Sequence, residues 1–436
     1  MRITLSRKLR EREKPLEFNN SASLFIDKKL VVMHEFSETR YYLSKMLKPN
    51  DGHILVVGST NSGKSSCFVI PSLRKWAGRI FYIDVKGELY TYTKDNRPNT
   101  KILDLFDKSA YGFNIYELLD ASSNPAQEAE AISMAIVPIP PDTKEPFWSQ
   151  SARNMLTGCI LHYHKEGKTF IETIRAILSI PVAQLMDSIY DTTKSIEAKP
   201  YLNTFVGLDE RPLSGVYAEL SRHIMIFATD QDIIRCLSRD KNISPIDLEN
   251  GNDVCLRIPE HLLKQWSGLL TLLVSQFLRH FEKRPDRTGK PILFMLDEFA
   301  RLGKIEGITD AFSTLRSKQI TLCAIIQSLA QLDKTYGEAT RRIIVDNCPY
   351  CAVFSVMDVA SQQYFSSFMG TKPIWKKGVT LGTPLSASLS YNENREPIIY
   401  PEQFAMLKRI LLRTPEGVYT IDKFPFFYTD RKAAGM

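Results

Sequence analysis

Apolar residues in this chain cluster in short runs that alternate with amphipathic stretches. Ile54-Leu55-Val56-Val57, Ile80 to Ile83 ahead of Asp84, and Ile102 to Leu105 are brief and rich in β-branched or aromatic residues, which predicts buried strands. Shorter apolar pieces at Leu24 to Ile26 and Leu30 to Met33 predict further strands upstream. The pattern breaks at Pro138-Ile139-Pro140-Pro141. From Phe147 to about Arg239 the period becomes helical, and Trp148, Ala152, Met155, Leu156, Cys159, Ile160 and Tyr163 fall on one face. Ile171, Ile174, Ile177 and Leu178 repeat that spacing up to Pro181, and Ile224 to Leu237 is another apolar helical stretch.

Strands then resume at Asp253 to Ile258, Ile292 to Leu296, Thr321 to Ile326 and Cys351 to Val356. The stripe Leu262, Trp266, Leu269, Leu270, Leu273 and Phe277 predicts a long helix between the first two, and Glu338 to Asp346 predicts another. Ile292-Leu293-Phe294-Met295-Leu296 has no polar position, as expected of a central strand covered on both faces. Alternation of this kind predicts an α/β fold, a mostly parallel sheet with helices on both faces, carrying an inserted all-α domain. The expected division is a basic arm at 1–20, a first sheet portion at 21–142, the insertion at 143–247 and a second sheet portion at 248–436. Residues 370–400 are polar and strand-like, a hairpin or a mobile loop.

At 436 residues the chain is long enough for a large core plus an insertion, and 44% apolar with 24% charged residues is ordinary for a folded protein. The formal charge of +7 suits an anionic partner. Residues 143–247 hold twelve Lys/Arg against thirteen Asp/Glu, so the basic excess lies outside them. Six Lys/Arg fall within residues 1–14, a short arm that reads as a solvated terminus or as a contact for anionic lipid or nucleic acid. No run reaches the roughly 20 apolar residues of a membrane span, and no apolar segment follows the basic N-terminus as in a secretory signal. The expected location is the cytoplasm. Seven scattered cysteines fit a reducing compartment. Cys348-Pro349-Tyr350-Cys351 has the form of a redox site. It falls between a helix and a following strand, the reverse of the redox arrangement, which favours a structural role.

Chemistry enters at Gly58-Ser59-Thr60-Asn61-Ser62-Gly63-Lys64-Ser65, a complete G-x-x-x-x-G-K-S pattern between a strand and a helix. Backbone N–H groups of such a loop, from Gly58 through Ser66, cradle phosphates. Lys64 reaches the β- and γ-phosphates and Ser65 ligates Mg²⁺, so ATP and Mg²⁺ are the expected ligands. Asp297-Glu298 closes the apolar strand, where Asp297 holds the metal through water and Glu298 polarises the attacking water. Gln327 ends the next strand and reaches the γ-phosphate or that water if the two strands are neighbours. Arg316, on a helix between them, suits a cation offered to a neighbouring subunit's transition state. Asp84-Val85-Lys86-Gly87-Glu88 follows another strand, so either Asp84 or Lys86 faces the ligand edge, or the segment is a plain turn.

These residues resemble those of the type IV coupling proteins, hexameric P-loop ATPases that deliver DNA–relaxase substrates to conjugative type IV secretion machinery. The resemblance rests on GSTNSGKSS, on YIDVKGELY at 82–90, on FMLDEFARLGKI at 294–305 and on IIQSLAQLDKTYG at 325–337, and runs from about residue 50 to the C-terminus. It implies a RecA-like ATPase core, Lys64, Glu298, Gln327 and Arg316 as catalytic residues, Ser65 and Asp297 at the metal, and Gln327 as sensor. It implies single-stranded DNA, relaxase proteins and membrane-embedded secretion components as partners. The implied assembly is a homo-hexamer, with the isolated chain monomeric. Val85 stands where the family usually has proline. The expected form lacks the family's N-terminal membrane helices and associates peripherally with the cytoplasmic face of the membrane. Two other readings stay open: a double-stranded DNA translocase, and a substrate receptor with a regulatory nucleotide site.

Overall fold

The computed structural model describes residues 52–423 except 141–142 and 383–385, together with 425–427 and three two-residue strands nearer the N-terminus. The basic arm and the apolar segment Leu24 to Ile26 lie outside the described residues. So does Leu30, while Val32–Met33 pairs antiparallel with Tyr42–Leu43.

Ten strands form the main sheet: β1 Glu17–Phe18, β2 Ile54–Val57, β3 Arg79–Asp84, β4 Thr100–Asp104, β5 Asp253–Arg257, β6 Ile292–Leu296, β7 Ile320–Ile326, β8 Tyr350–Val353, β9 Arg409–Thr414 and β10 Gly417–Asp422. Their spatial order is β1-β10-β9-β8-β2-β7-β6-β3-β5-β4. From β8 to β4 every neighbour is parallel, while the β9–β10 hairpin joins β8 antiparallel. Strand β7, late in the chain, thus lies between β2 and β6.

Side chains alternate between two cores, as the period of a strand requires. Leu55, Val57, Phe81, Ile83, Phe294 and Leu296 face one, and Ile54, Val56, Tyr82, Leu293 and Met295 the other. The first core holds the helices Pro125–Ile136 and Ser267–Glu282, with the Phe81 ring 4.7 Å from Phe277 and 4.8 Å from Phe294. The second holds Phe68, Ile70, Leu73 and Trp76 from the helical stretch after β2. All five residues of β6 are buried, which explains its uninterrupted apolar sequence. Arg97 ties that stretch to the sheet. Its Nε donates to Leu73 O at 2.8 Å and its Nη1 to Gly78 O at 2.9 Å, beside the buried Asp253 carboxylate at 3.5 Å.

Between 147 and 237 the chain is helical, in six segments beginning with Phe147–Lys165 and ending with Gln231–Leu237. The apolar face read in Phe147–Lys165 is buried at Ala152, Met155, Leu156, Cys159 and Ile160. The stretch expected at Ile224 to Leu237 is two helices parted at Asp230, whose carboxylate caps the second through Asp232 N and Ile233 N. Residues Thr371–Gly382 and Ser386–Pro397 pair as an antiparallel hairpin. Cys348 and Cys351 are buried and unbridged at the start of β8, and burial pushes both thiols up, Cys351 to about 12. A thiol so desolvated is a packing group, not a nucleophile.

His53 fixes the N-terminal end of β2 against β7. Its Nδ1 accepts from Leu322 N at 3.0 Å, and its ring meets Phe312 edge-on at 5.3 Å. Burial lowers its pKa from 6.5 to about 4, with the Arg316 charge adding to the fall. The unfolded chain therefore takes up the proton first as pH drops. The stability held by neutral His53 is complete above pH 6.5 and is lost toward pH 4, amounting to roughly 3 kcal/mol. His53→Gln keeps an acceptor for Leu322 N–H. Urea midpoints at about pH 7 and 4.5 should show a smaller loss in this variant than in the wild type, and equal losses would contradict the assignment.

Candidate functional site

Lys64, Asp297, Glu298 and Gln327 meet because β2, β6 and β7 end side by side on one edge of the sheet. The loop after β2 is braced from both flanks. Gly58 N donates to Ile326 O at 3.1 Å, and Ser59 N to Ser355 O at 2.7 Å. A Cβ at Gly58 would lie 2.5 Å from Phe354 Cβ, so only glycine fits there. Asn61 and Gly63 take positive φ of 60° and 96°, which turns successive backbone amides inward. Ser65–Val69 then winds one π-helical turn that continues into the α-helix Ile70–Lys75.

Lys64 is folded back on its own loop, donating to Gly58 O at 2.5 Å and Ser59 O at 3.0 Å. Burial lowers its pKa, while the charges of Glu298 and Asp297 pull it back up. Asp297 is raised to about 6 by burial first and by Glu298 second, against a hydrogen bond from Glu298 N and the charge of Lys64. Glu298 adopts a left-handed backbone with φ 51° and ψ 35°. That conformation costs a non-glycine residue roughly 1–3 kcal/mol and recurs at functional sites. Gln327 Nε2 donates to both carboxylate oxygens of Glu298, at 3.1 and 3.0 Å, and Gln327 Oε1 accepts from Gln331 Nε2 at 3.3 Å. On the other flank Arg301 Nη1 lies 3.7 Å from Glu298 Oε2 and donates to Glu260 at 2.6 Å.

A cavity of about 400 Å³ joins Thr60 through Ser66 to Asp297 and Glu298, with Lys86 on its wall. Its chemistry fits an anion chain: loop amides, a buried ammonium and, among the described residues, a buried Ser62 Oγ without a partner. It also fits one hard cation. Among the described residues no cluster of three or more His, Cys, Asp or Glu could hold a metal alone. Mg²⁺ is commonly held by one or two carboxylates plus phosphate oxygens, which suits Asp297 beside Ser65.

The structure separates Arg316 from these groups. It lies in the turn after the helix Ile308–Thr314, not on a helix, because Lys318 N and Ile320 N both bond back to Leu315 O as the chain bends into β7. That turn is at the opposite edge of the sheet, where Arg316 shares a cavity with His53 and Phe312. The seven residues of β7 put roughly 20 Å between the two edges, so Arg316 does not reach the phosphate loop of its own chain. Of the two candidates after β3, Lys86 lines the phosphate cavity. Asp84 is buried and accepts from Tyr90 N at 2.9 Å, a local cap. Sequence reasoning passed over Gln331, Arg301 and Glu260, which hold Glu298 and Gln327 from behind. Arg301 and Gln331 fall inside the segments 294–305 and 325–337 that carry the resemblance, whereas Glu260 comes from a separate segment after β5 and carried no signal.

Comparison with known proteins places this geometry. The family model described as "Type IV secretory system Conjugative DNA transfer" matches residues 16–416. The type IV secretion system-coupling protein VirD4 of Bartonella quintana (strain Toulouse) is 23% identical over 374 residues, 80% of this chain and 58% of that protein. The conjugal transfer protein TraG of Rhizobium radiobacter is 25% identical over 379 residues, 82% of this chain and 58% of that protein. The chain thus spans under three fifths of the length of these relatives. The plasmid coupling protein TrwB, solved with the ATP analogue ADPNP, superposes with a TM-score of 0.69 over 86% of each chain at 18% identity. Its complex with ADP and Mg²⁺ gives 0.68 over 86% of this chain and 85% of that one, also at 18%. Among the described residues no helix is long and apolar enough to cross a membrane. Because that family model spans residues 16–416, a stretch that includes the phosphate loop and the strand ends facing it, the chain belongs to the family of type IV secretory system conjugative DNA transfer proteins.

Proposed function

We propose that this chain is an ATP-hydrolysing motor that drives a single-stranded DNA–relaxase substrate toward a type IV secretion channel. One observation carries the hydrolytic part: Lys64, Asp297 and Glu298 line one cavity at one sheet edge, and Gln327 holds Glu298 there. The names of the relatives support the transfer part.

In this reading Lys64 leaves the carbonyls of Gly58 and Ser59 for the β- and γ-phosphates. Glu298, held by Gln327 and Arg301, takes the proton of the attacking water. The amide of Gln327 that grips Glu298 is then also the sensor, since a γ-phosphate oxygen competes for its N–H groups. Mg²⁺ held by Ser65 and Asp297 would neutralise charge developing on the phosphates. Arg316, remote from its own phosphate loop, serves the adjacent subunit in a head-to-tail ring, a homo-hexamer when assembled. The charge-balanced insertion at 143–247 receives substrate, and the basic sheet portions track the DNA backbone in a salt-sensitive way. The motor works at the cytoplasmic face of the membrane, against membrane-embedded secretion components.

Two outcomes follow. Glu298→Gln should bind ATP with wild-type affinity while turnover falls on the order of 100- to 10,000-fold, whereas Lys64→Ala should lose binding itself. Near-normal turnover in Glu298→Gln would contradict the site. Arg316→Ala and Glu298→Gln should each be inactive in the presence of single-stranded DNA. Mixed in equal amounts, they should regain about a quarter of wild-type turnover, because one interface in four in a head-to-tail ring pairs an intact Glu298 with an intact Arg316. A mixture no more active than its parts would overturn the trans role.

A further inference from the structure

The phosphate cavity continues onto an aromatic wall. Tyr92, Phe426 and Phe427 line the same cavity as Lys64 and Asp297. Phe426 comes from beyond β10, and its ring centroid lies 4.7 Å from Tyr92 and 5.6 Å from Phe427. The Arg74 guanidinium stands 4.9 Å from the Phe426 centroid, and its Nε donates to Tyr92 O at 2.8 Å. Phe426 is 8% exposed, but Tyr92 and Phe427 are 45% and 40% exposed. One buried ring therefore backs two that present area to the cavity.

The loop fixes which end of a nucleotide meets this wall. Lys64 takes the β- and γ-phosphates at the end of the cavity that holds the two acids, so the nucleoside points the other way. Ser66 and Ile70, four residues apart and on one helical face, both line the cavity in that direction, toward the helical turn that carries Arg74. We propose that Tyr92 and Phe427, backed by Phe426, form a shelf on which the purine base of the bound nucleoside triphosphate stacks. The proposal rests on the nucleotide reading of the phosphate loop. Aromatic stacking uses the face of a base, which adenine and guanine share, and does not read its hydrogen-bonding edge. Arg74, which stands against the Phe426 ring, is already engaged with that face and with Tyr92 O. The shelf thus holds ATP and GTP about equally.

The test compares binding of ATP, GTP and inorganic tripolyphosphate to the full chain by calorimetry. Phe427→Ala should weaken ATP and GTP by roughly tenfold each and leave tripolyphosphate within about twofold. Tyr92→Ala should act in the same sense, and Phe427→Trp should keep wild-type affinity. Tripolyphosphate binding with nucleotide affinities untouched by Phe427→Ala and Tyr92→Ala would overturn the shelf and leave the phosphate site standing. Binding of neither tripolyphosphate nor ATP by the wild type would overturn both. A wild-type preference for one purine beyond about tenfold would overturn recognition by the ring face.

Discussion

Everything at the site depends on the parallel pairing of β7 between β2 and β6. That register sets Ile326 opposite Val57 and Ala324 opposite Leu296. The phosphate loop, Asp297-Glu298 and Gln327 therefore leave the sheet at one edge and within side-chain reach. Gly58 N closes the pairing by bonding Ile326 O. No local propensity could join segments more than 200 residues apart. Burial of both faces of β6 and β7 does so, and the polar residues that follow them are carried to the edge.

The second constraint is electrostatic. Lys64, Asp297 and Glu298 share a partly desolvated cavity, where charges act on one another more strongly than in water. Burial and Glu298 push Asp297 up, while the same acids support the charge of Lys64. Each group is held by neighbours: Lys64 by loop carbonyls, Glu298 by the Gln327 amide. A group fixed as Glu298 is by the Gln327 amide needs little reorganisation when charge develops beside it. The left-handed backbone of Glu298 is local strain that its surroundings overcome.

Much of this was legible in the sequence, for physical reasons. The run 292–296 is apolar because both its faces are covered, and chemistry follows such strands because ligands gather at the carboxyl edge of parallel sheets. The helical face of 147–165 showed through the spacing of its apolar residues, although every residue from Met155 to Tyr163 is buried. What was misread lacked such a pattern. Arg316 follows a short helix closely enough to share its period, though the chain has already turned. The strand after Cys348 was read as ending at Val356. It leaves the ladder at Val353 because Phe354 and Ser355 brace the phosphate loop. Residues 371–397 left hairpin and loop open because their polar sequence shows no buried face. Phe426 and Phe427 carried no signal, since nothing local ties them to a loop more than 350 residues away.

The central claim is that this site powers movement along DNA. Its most direct measurement is steady-state ATP hydrolysis by the chain at low salt, without DNA, with single-stranded DNA and with duplex DNA. The account predicts stimulation by single-stranded DNA well above that by duplex, fading as salt rises, because phosphate contacts release counterions. Hydrolysis indifferent to DNA, or stimulated only by duplex, would contradict it.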